Sequence, residues 1–171
     1  SPARGDGHCV YSARLRDAPA IEPSLVELET DPPFEGGFES TGVTRAATNT
    51  TWRPVWGDRT EIPERFDGVM ARLRERGPRG RLVDVELRAY PEGVAVRCAV
   101  PAQAGANVWT VRQESVEFRF VPGSAAFPIH SGEQTFSRTP VPLADLKPGA
   151  HTPLTVALPD GARAGLVGRN G

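Results

Sequence analysis

The sequence predicts an all-β chain of mostly antiparallel strands, on three observations. Its 18 glycines and 17 prolines are spread along the whole length, so the segments between them are short. Several of those segments alternate apolar and polar residues at period two, most clearly across 82–100. No internal repeat suggests a solenoid or a propeller instead.

In chain order, Cys9 to Leu15 and Ser24 to Leu28 are short strand candidates, and Asp31 to Gly37 reads as a loop. Glu64 to Arg76 fits two patterns. Phe66, Met70 and Leu73 make a helical stripe after Pro63, while Val69, Ala71 and Leu73 make a strand face. The arginine-rich stretch Arg72 to Arg81, with Gly77-Pro78, reads as a solvated hairpin tip. Leu82 to Ala89 places Val83, Val85, Leu87 and Ala89 on one side, with Asp84, Glu86 and Arg88 on the other. Tyr90-Pro91-Glu92-Gly93 is a turn with proline at its second position. Val94, Val96, Cys98 and Val100 then continue the apolar face, completing a hairpin. Val108 to Val111 and Val116 to Phe120 are further strand segments whose inward phase changes near Gln113, which predicts a bulge or a break. Ala125 to Thr139 reads as a loop. Leu154, Val156 and Leu158 alternate again before a Pro159-Asp160-Gly161 turn and a closing strand near Ala162 to Val167.

The segment Thr51-Trp52-Arg53-Pro54-Val55-Trp56-Gly57-Asp58 has no regular period. Proline removes a backbone donor and glycine adds freedom, so it predicts a turn that buries two large rings.

Composition excludes several function classes. A net charge of −1 provides no global attraction to nucleic acid or anionic membrane. Lys147 is the single lysine among 20 basic residues, and the arginines are scattered from Arg4 to Arg169 rather than clustered as a phosphate site requires. No apolar run approaches the roughly 18 residues of a membrane span, and no signal peptide is visible. A chain of 171 residues predicts one domain, able to bury about 70% of its unfolded surface. Cys9 and Cys98 are too few for a disulfide framework or zinc site. One bridge between them fits an exported protein, and two separately buried thiols is the plainer reading.

No set of residues predicts catalysis. A glycosidase needs two carboxyls about 5–9.5 Å apart. Glu114 and Glu117, at odd spacing on a strand, face opposite ways. His8, His130 and His151 are isolated, and no nucleophile elbow or phosphate loop is present. Trp52, Trp56, Trp109 and Tyr90 offer rings for sugar stacking or for a core. Arg97 is expected to pair with a buried carboxylate such as Glu114 or Asp58, as a structural ion pair before a ligand contact.

The Trp52–Asp58 segment resembles the Trp-x-Pro-Val-Trp-Gly-Glu signature near the start of glycoside hydrolase family 97. Further similarity runs through Ile21-Glu22-Pro23-Ser24-Leu25, Phe66-Asp67-Gly68-Val69, the Leu87–Arg97 hairpin, Gln113–Phe118 and Thr152–Thr155 with Asp160-Gly161. The resemblance spans roughly Ala20 to Leu166, and it implies a β-super-sandwich (galactose mutarotase-like). It implies the N-terminal domain of an α-glucosidase or α-galactosidase, bacterial and periplasmic or secreted. In such an enzyme the domain packs on a catalytic (β/α)8 barrel and shapes its sugar pocket.

That barrel takes about 250 residues, more than this chain holds beside the sandwich, so no catalytic residue is expected here. Calcium is expected only in a full-length member. The family's glutamate ligand would fall within Ala162 to Gly171, which contains no acid. No cofactor or metal is therefore expected in this chain. Trp52, Trp56, Asp58, Glu61 and Arg97 are the candidate contacts for carbohydrate or for the neighbouring domain. A free-standing carbohydrate-binding module binding α-linked oligosaccharide, or a truncated remnant without activity, are the other readings.

Overall fold

A computed structural model describes residues 9–35, 37–104, 109–131 and 138–167. His8, Val108 and the tail 168–171, all part of the sequence reading, lie outside the described residues. The strands are β1 (Cys9–Leu15), β2 (Ala18–Asp31), β3 (Phe38–Trp52), β4 (Ile62–Glu75), β5 (Leu82–Tyr90), β6 (Gly93–Ala99), β7 (Thr110–Val116), β8 (Ala125–Phe127), β9 (Val141–Pro142), β10 (Leu154–Ala157) and β11 (Arg163–Leu166). One 3-10 turn, Leu143–Asp145, is the only helical element among the described residues. The sheets run in the orders β1–β2–β7, β3–β4–β5–β6 and β11–β10–β8–β9, and the pairings given by register are antiparallel. The chain is all-β, as the sequence predicts.

The backbone forms two compact units. The first comprises the residues up to Tyr11 together with Leu25–Glu117. Its four-stranded sheet has two unlike faces. Val85 pairs with Cys98 and Leu87 with Val96, and on β4 Ala71 pairs with Val85 and Val69 with Leu87. These residues form the apolar face, on which Val83 and Val85 are buried. The opposite face carries Met70, Arg72, Asp84, Glu86, Arg88 and Arg97. The hairpin therefore closes as its alternation requires, with Tyr90 opposite Gly93 across the turn.

The ambiguous stretch from Glu64 to Arg76 is strand, paired with β3 on one side and β5 on the other. Neighbours on both sides take up its backbone groups, and Val69 and Ala71 then fall on the apolar face shared with Leu87 and Val85. In the pairing of β2 with β7, Glu29 faces Gln113 but Thr30 faces Val111, so Arg112 is the extra residue of a bulge. The phase change near Gln113 marked this place. Tyr11 donates its hydroxyl to the Glu117 carbonyl at 2.6 Å, and the Glu117 carboxylate accepts the Leu25 N–H at 3.0 Å.

The second unit comprises Ser12–Ser24 with the residues from Phe118 onward. Ala126 and Val156, both fully buried and opposite one another, centre its core, with Ile21, Phe120, Leu154 and Leu158 around them. Ile21 bridges Phe120, and the buried Ser24 hydroxyl accepts the Arg119 N–H at 2.9 Å. Ala125–Phe127 is strand rather than loop, because its carbonyls and amides complete the ladder between β9 and β10. Gly123, at φ +85°, turns the chain into β8, and a Cβ there would stand 3.4 Å from the Pro159 ring. Gly123→Ala is expected to cost about 1–2 kcal/mol from the left-handed backbone and this contact. A thermal melt at fixed pH would check it, and an unchanged melting temperature would contradict it.

Candidate functional site

The candidate residues divide between a hairpin tip and a sheet face. β3 and β4 pair along their full lengths, from Phe38 opposite Glu75 to Trp52 opposite Ile62. Their register places loop 53–61 at the end of a long hairpin. Arg53 braces that loop, donating to Glu61 Oε1 from Nε at 3.1 Å and from Nη2 at 2.8 Å. Gly57, at φ +135°, supplies the backbone conformation the turn needs.

The two tryptophans are not buried. Trp52 is 48% exposed, Trp56 88% and Val55 100%, which overturns the expectation of a turn built around two buried rings. The physical reason is the length of the hairpin. It carries the tip beyond the apolar face of its own sheet, and no described segment covers the rings. Asp58 and Glu61 are exposed on the same loop. Glu61 is engaged by Arg53, so the loop combines a charged brace at its base with an apolar tip.

Arg97 is elsewhere. It lies on β6 opposite Glu86, and it donates from Nη2 to Glu86 Oε2 at 2.6 Å rather than to Glu114 or Asp58. Glu86 pairs through Met70 with Thr44, eight residues from Trp52 along β3, or about 26 Å of strand at its usual rise. Arg97 shares a sheet face with Trp52 but does not join the tip.

That face is built from coupled charges and rings. Arg88 Nε donates to Glu86 Oε1 at 2.7 Å, its guanidinium lies 4.5 Å from the Phe66 ring centroid, and Phe66 packs on Tyr90 at 5.2 Å. Arg72 makes a two-point contact with Asp84, at 2.8 Å for each oxygen.

The sequence reading missed one cluster. Arg81 is not part of a solvated tip: it is buried, 8% exposed, against Glu75 at 1%. Arg81 Nε and Nη2 donate to the two Glu75 oxygens at 2.7 Å each. Its remaining donors reach the carbonyls of Pro32 and Pro33 at 2.7 and 2.6 Å. The guanidinium also lies 4.4 Å from the Phe34 centroid and 5.4 Å from the Trp109 ring. Trp109 is therefore a packing partner, half-buried between Phe34 and Arg81. The missing signal was tertiary, because Pro32, Pro33 and Phe34 lie over the hairpin end and exclude water from it.

Arg81 holds the Glu75 carboxyl below the usual range; Arg72 does the same for Asp84, and Arg88 followed by Arg97 for Glu86. Each folded carboxyl is more acidic than its unfolded counterpart. The unfolded chain thus binds more protons as pH falls below about 4.5, and stability rises with pH across that window. Stability is expected to be fully present at pH 6–7 and to fall progressively as pH drops through the depressed folded values. Urea midpoints at a series of pH values would check it; a midpoint that does not fall below about pH 4 would refute it.

Among the described residues no group of three or more His, Cys, Asp or Glu is placed to hold a metal ion. Glu117 is engaged by the Leu25 amide, while Glu114 is exposed on β7 opposite Leu28.

Comparison with known proteins bears on this arrangement. Residues 2–167 match the glycosyl-hydrolase 97 N-terminal family. A glycoside hydrolase family 97 enzyme from Pseudoalteromonas sp. strain K8, in complex with panose, matches at TM-score 0.79 and 28% identity, over 93% of this chain and 25% of that one. The acarbose complex of a family 97 enzyme from the same strain matches with the same values. A β-arabinopyranosidase matches at TM-score 0.80 and 19% identity, over 94% of this chain and 28% of that one, a likeness of fold alone. The all-β super-sandwich class agrees with these matches, and this chain spans about a quarter of their length. The chain belongs to the glycosyl-hydrolase 97 N-terminal family.

Proposed function

We propose that this chain is the non-catalytic supporting domain of an α-glycoside hydrolase, packing on a (β/α)8 barrel and shaping the rim of its sugar pocket. The observation that carries this reading is the braced hairpin tip with Val55 and Trp56 in solvent. A fully exposed valine beside a nearly fully exposed indole, on a loop already ordered by an ion pair, suits insertion into an apolar recess at little entropic cost. Trp52, Asp58 and Glu61 flank that contact and provide its polar rim.

Calcium and the two catalytic carboxyls belong, in this reading, to the barrel. The setting is bacterial, periplasmic or secreted. The chain by itself is expected to release no sugar from α-linked oligosaccharides.

The test uses a family 97 barrel expressed alone. Adding this chain is expected to raise the barrel's melting temperature or its affinity for an α-linked oligosaccharide. A barrel equally stable and active without it would end the proposal. The exposed Trp56 indole also suits a second reading, a free-standing carbohydrate-binding module, since a flat ring in solvent can stack on a pyranose. Titration with panose distinguishes the two, because binding by the isolated chain favours the module.

A further inference from the structure

We propose that the outer edge of β3 is a self-pairing site, at which two copies of this chain join antiparallel about a two-fold axis at Ala47. β3 is 15 residues long and ends the sheet order β3–β4–β5–β6, so among the described residues only β4 pairs with it. Its residues from Glu39 to Ala47 and from Asn49 to Trp52 are exposed, Val43 by 57%.

The hydrogen bonds of β4 identify the open backbone groups on that edge. In an antiparallel ladder the N–H and C=O of one residue point to the same side, and successive residues alternate. The Arg76 N–H donates to the Gly37 carbonyl at 2.9 Å, and the Glu75 N–H to the Arg81 carbonyl at 2.8 Å. Even-numbered residues of β4 therefore turn to β3 and odd-numbered ones to β5. Gly42, Thr44, Ala46, Thr48 and Thr50 stand opposite Arg72, Met70, Gly68, Phe66 and Glu64, so β4 takes up their backbone groups. Val43, Arg45, Ala47, Asn49 and Thr51 turn theirs outward.

Natural sheets guard such edges with charge, proline or irregular backbone. Here the bulge between Ser40 and Gly42 stands before the open run and Pro54 lies beyond it. Within Val43–Thr51, Arg45 is the one charged side chain. A two-fold axis at Ala47 uses the whole run. Val43 meets Thr51, Arg45 meets Asn49, whose amide oxygen can accept from the guanidinium, and Ala47 meets itself. The facing residues exchange about ten hydrogen bonds across the axis. An axis at Arg45 would set like charges directly opposite, and one at Asn49 would set Arg45 against Arg53. Shifting the axis one residue either way leaves Thr51 facing the bulge or Val43 facing Arg53, and the run pairs incompletely. A second copy is therefore the occupant, because the match comes from this strand's own sequence read in both directions. Loop 53–61 lies outside the paired run, so this contact is separate from the one proposed for the barrel.

Sedimentation velocity of the folded chain from about 5 µM to about 1 mM tests it. The expected result is a reversible equilibrium that stops at two copies. Ala47→Pro removes an outward N–H and spares the bonds to β4, as proline on an edge strand does, so the chain should still fold. It deletes one hydrogen bond per copy and should weaken the dimer about thirtyfold. Ala47→Lys keeps that N–H but sets two ammonium groups on the axis; it should also give monomer, and it serves if the proline variant does not fold. Ala47→Cys should cross-link two copies at position 47 in oxidised glutathione, because facing Cα atoms of a hydrogen-bonded pair lie about 5.5 Å apart. Asn49→Cys faces Arg45 and should not. A chain monomeric at every concentration, a dimer that both Ala47→Pro and Ala47→Lys leave as tight as wild type, or equal cross-linking at positions 47 and 49 would each overturn the proposal.

Discussion

Replacing Arg81 with alanine is expected to destabilise the chain by about 3–5 kcal/mol, the usual cost of leaving one partner of a buried ion pair alone. The Glu75 side chain has no exposed surface, and both its oxygens accept from the Arg81 fork. Truncation removes both of those bonds, the two donated to Pro32 and Pro33, and the cation over Phe34. The carboxylate that remains has only backbone donors, among them the Glu35 N–H.

The loss should shrink sharply when the charge is removed from both sides. Glu75→Met with Arg81→Met replaces the pair by apolar side chains of similar reach, and such replacements are often close to neutral. Urea denaturation of the two single variants and the double variant measures the difference. A single Arg81→Ala variant within about 1 kcal/mol of wild type would mean that the cluster is solvated after all.

The second large effect is expected at the hairpin tip. If the tip carries the contact with a catalytic barrel, Trp56→Ala should weaken association by about 2 kcal/mol or more, roughly thirtyfold in affinity, as buried tryptophans at interface centres do. The chain's own stability should stay within about 0.5 kcal/mol of wild type, because an 88% exposed side chain contributes little to folding. Glu61→Gln acts differently. It weakens the Arg53 brace and should lower affinity less, through the order of the loop rather than its contact surface. Titration calorimetry of the three proteins against the barrel separates these effects. Equal affinities for Trp56→Ala and wild type would place the interface elsewhere on the domain.

Some elements were legible because their information is local. The 82–100 hairpin declared itself through alternation and a proline turn, and Val85, Leu87 and Ala89 pair with Cys98, Val96 and Val94 on the face the alternation marks. An irregularity near Arg112 was visible because a single extra residue shifts the phase of every apolar position after it, and the β2–β7 register decides for a bulge over a break. Residues 64–76 were harder, because Phe66, Val69, Met70 and Leu73 fit both periods until two neighbouring strands decide between them.

The tryptophan motif shows where local reasoning stops. Composition predicted a turn and two large rings together, and the turn is there. Whether the rings are buried depends on how far β3 and β4 carry them from the apolar face of their sheet. The same holds for the arginines of 72–81, which look alike in sequence. Arg72 reaches Asp84 across a strand pair, while Arg81 is enclosed by Pro32, Pro33 and Phe34 from a segment more than forty residues away.

By itself, then, the sequence determined the all-β class, most strand positions and the family, since alternation, turn chemistry and motif order are properties of neighbouring residues. Only the tertiary structure decided which charges lose their water and which aromatic rings keep it. Burial is set by segments distant in the chain, and no local pattern of residues encodes their approach.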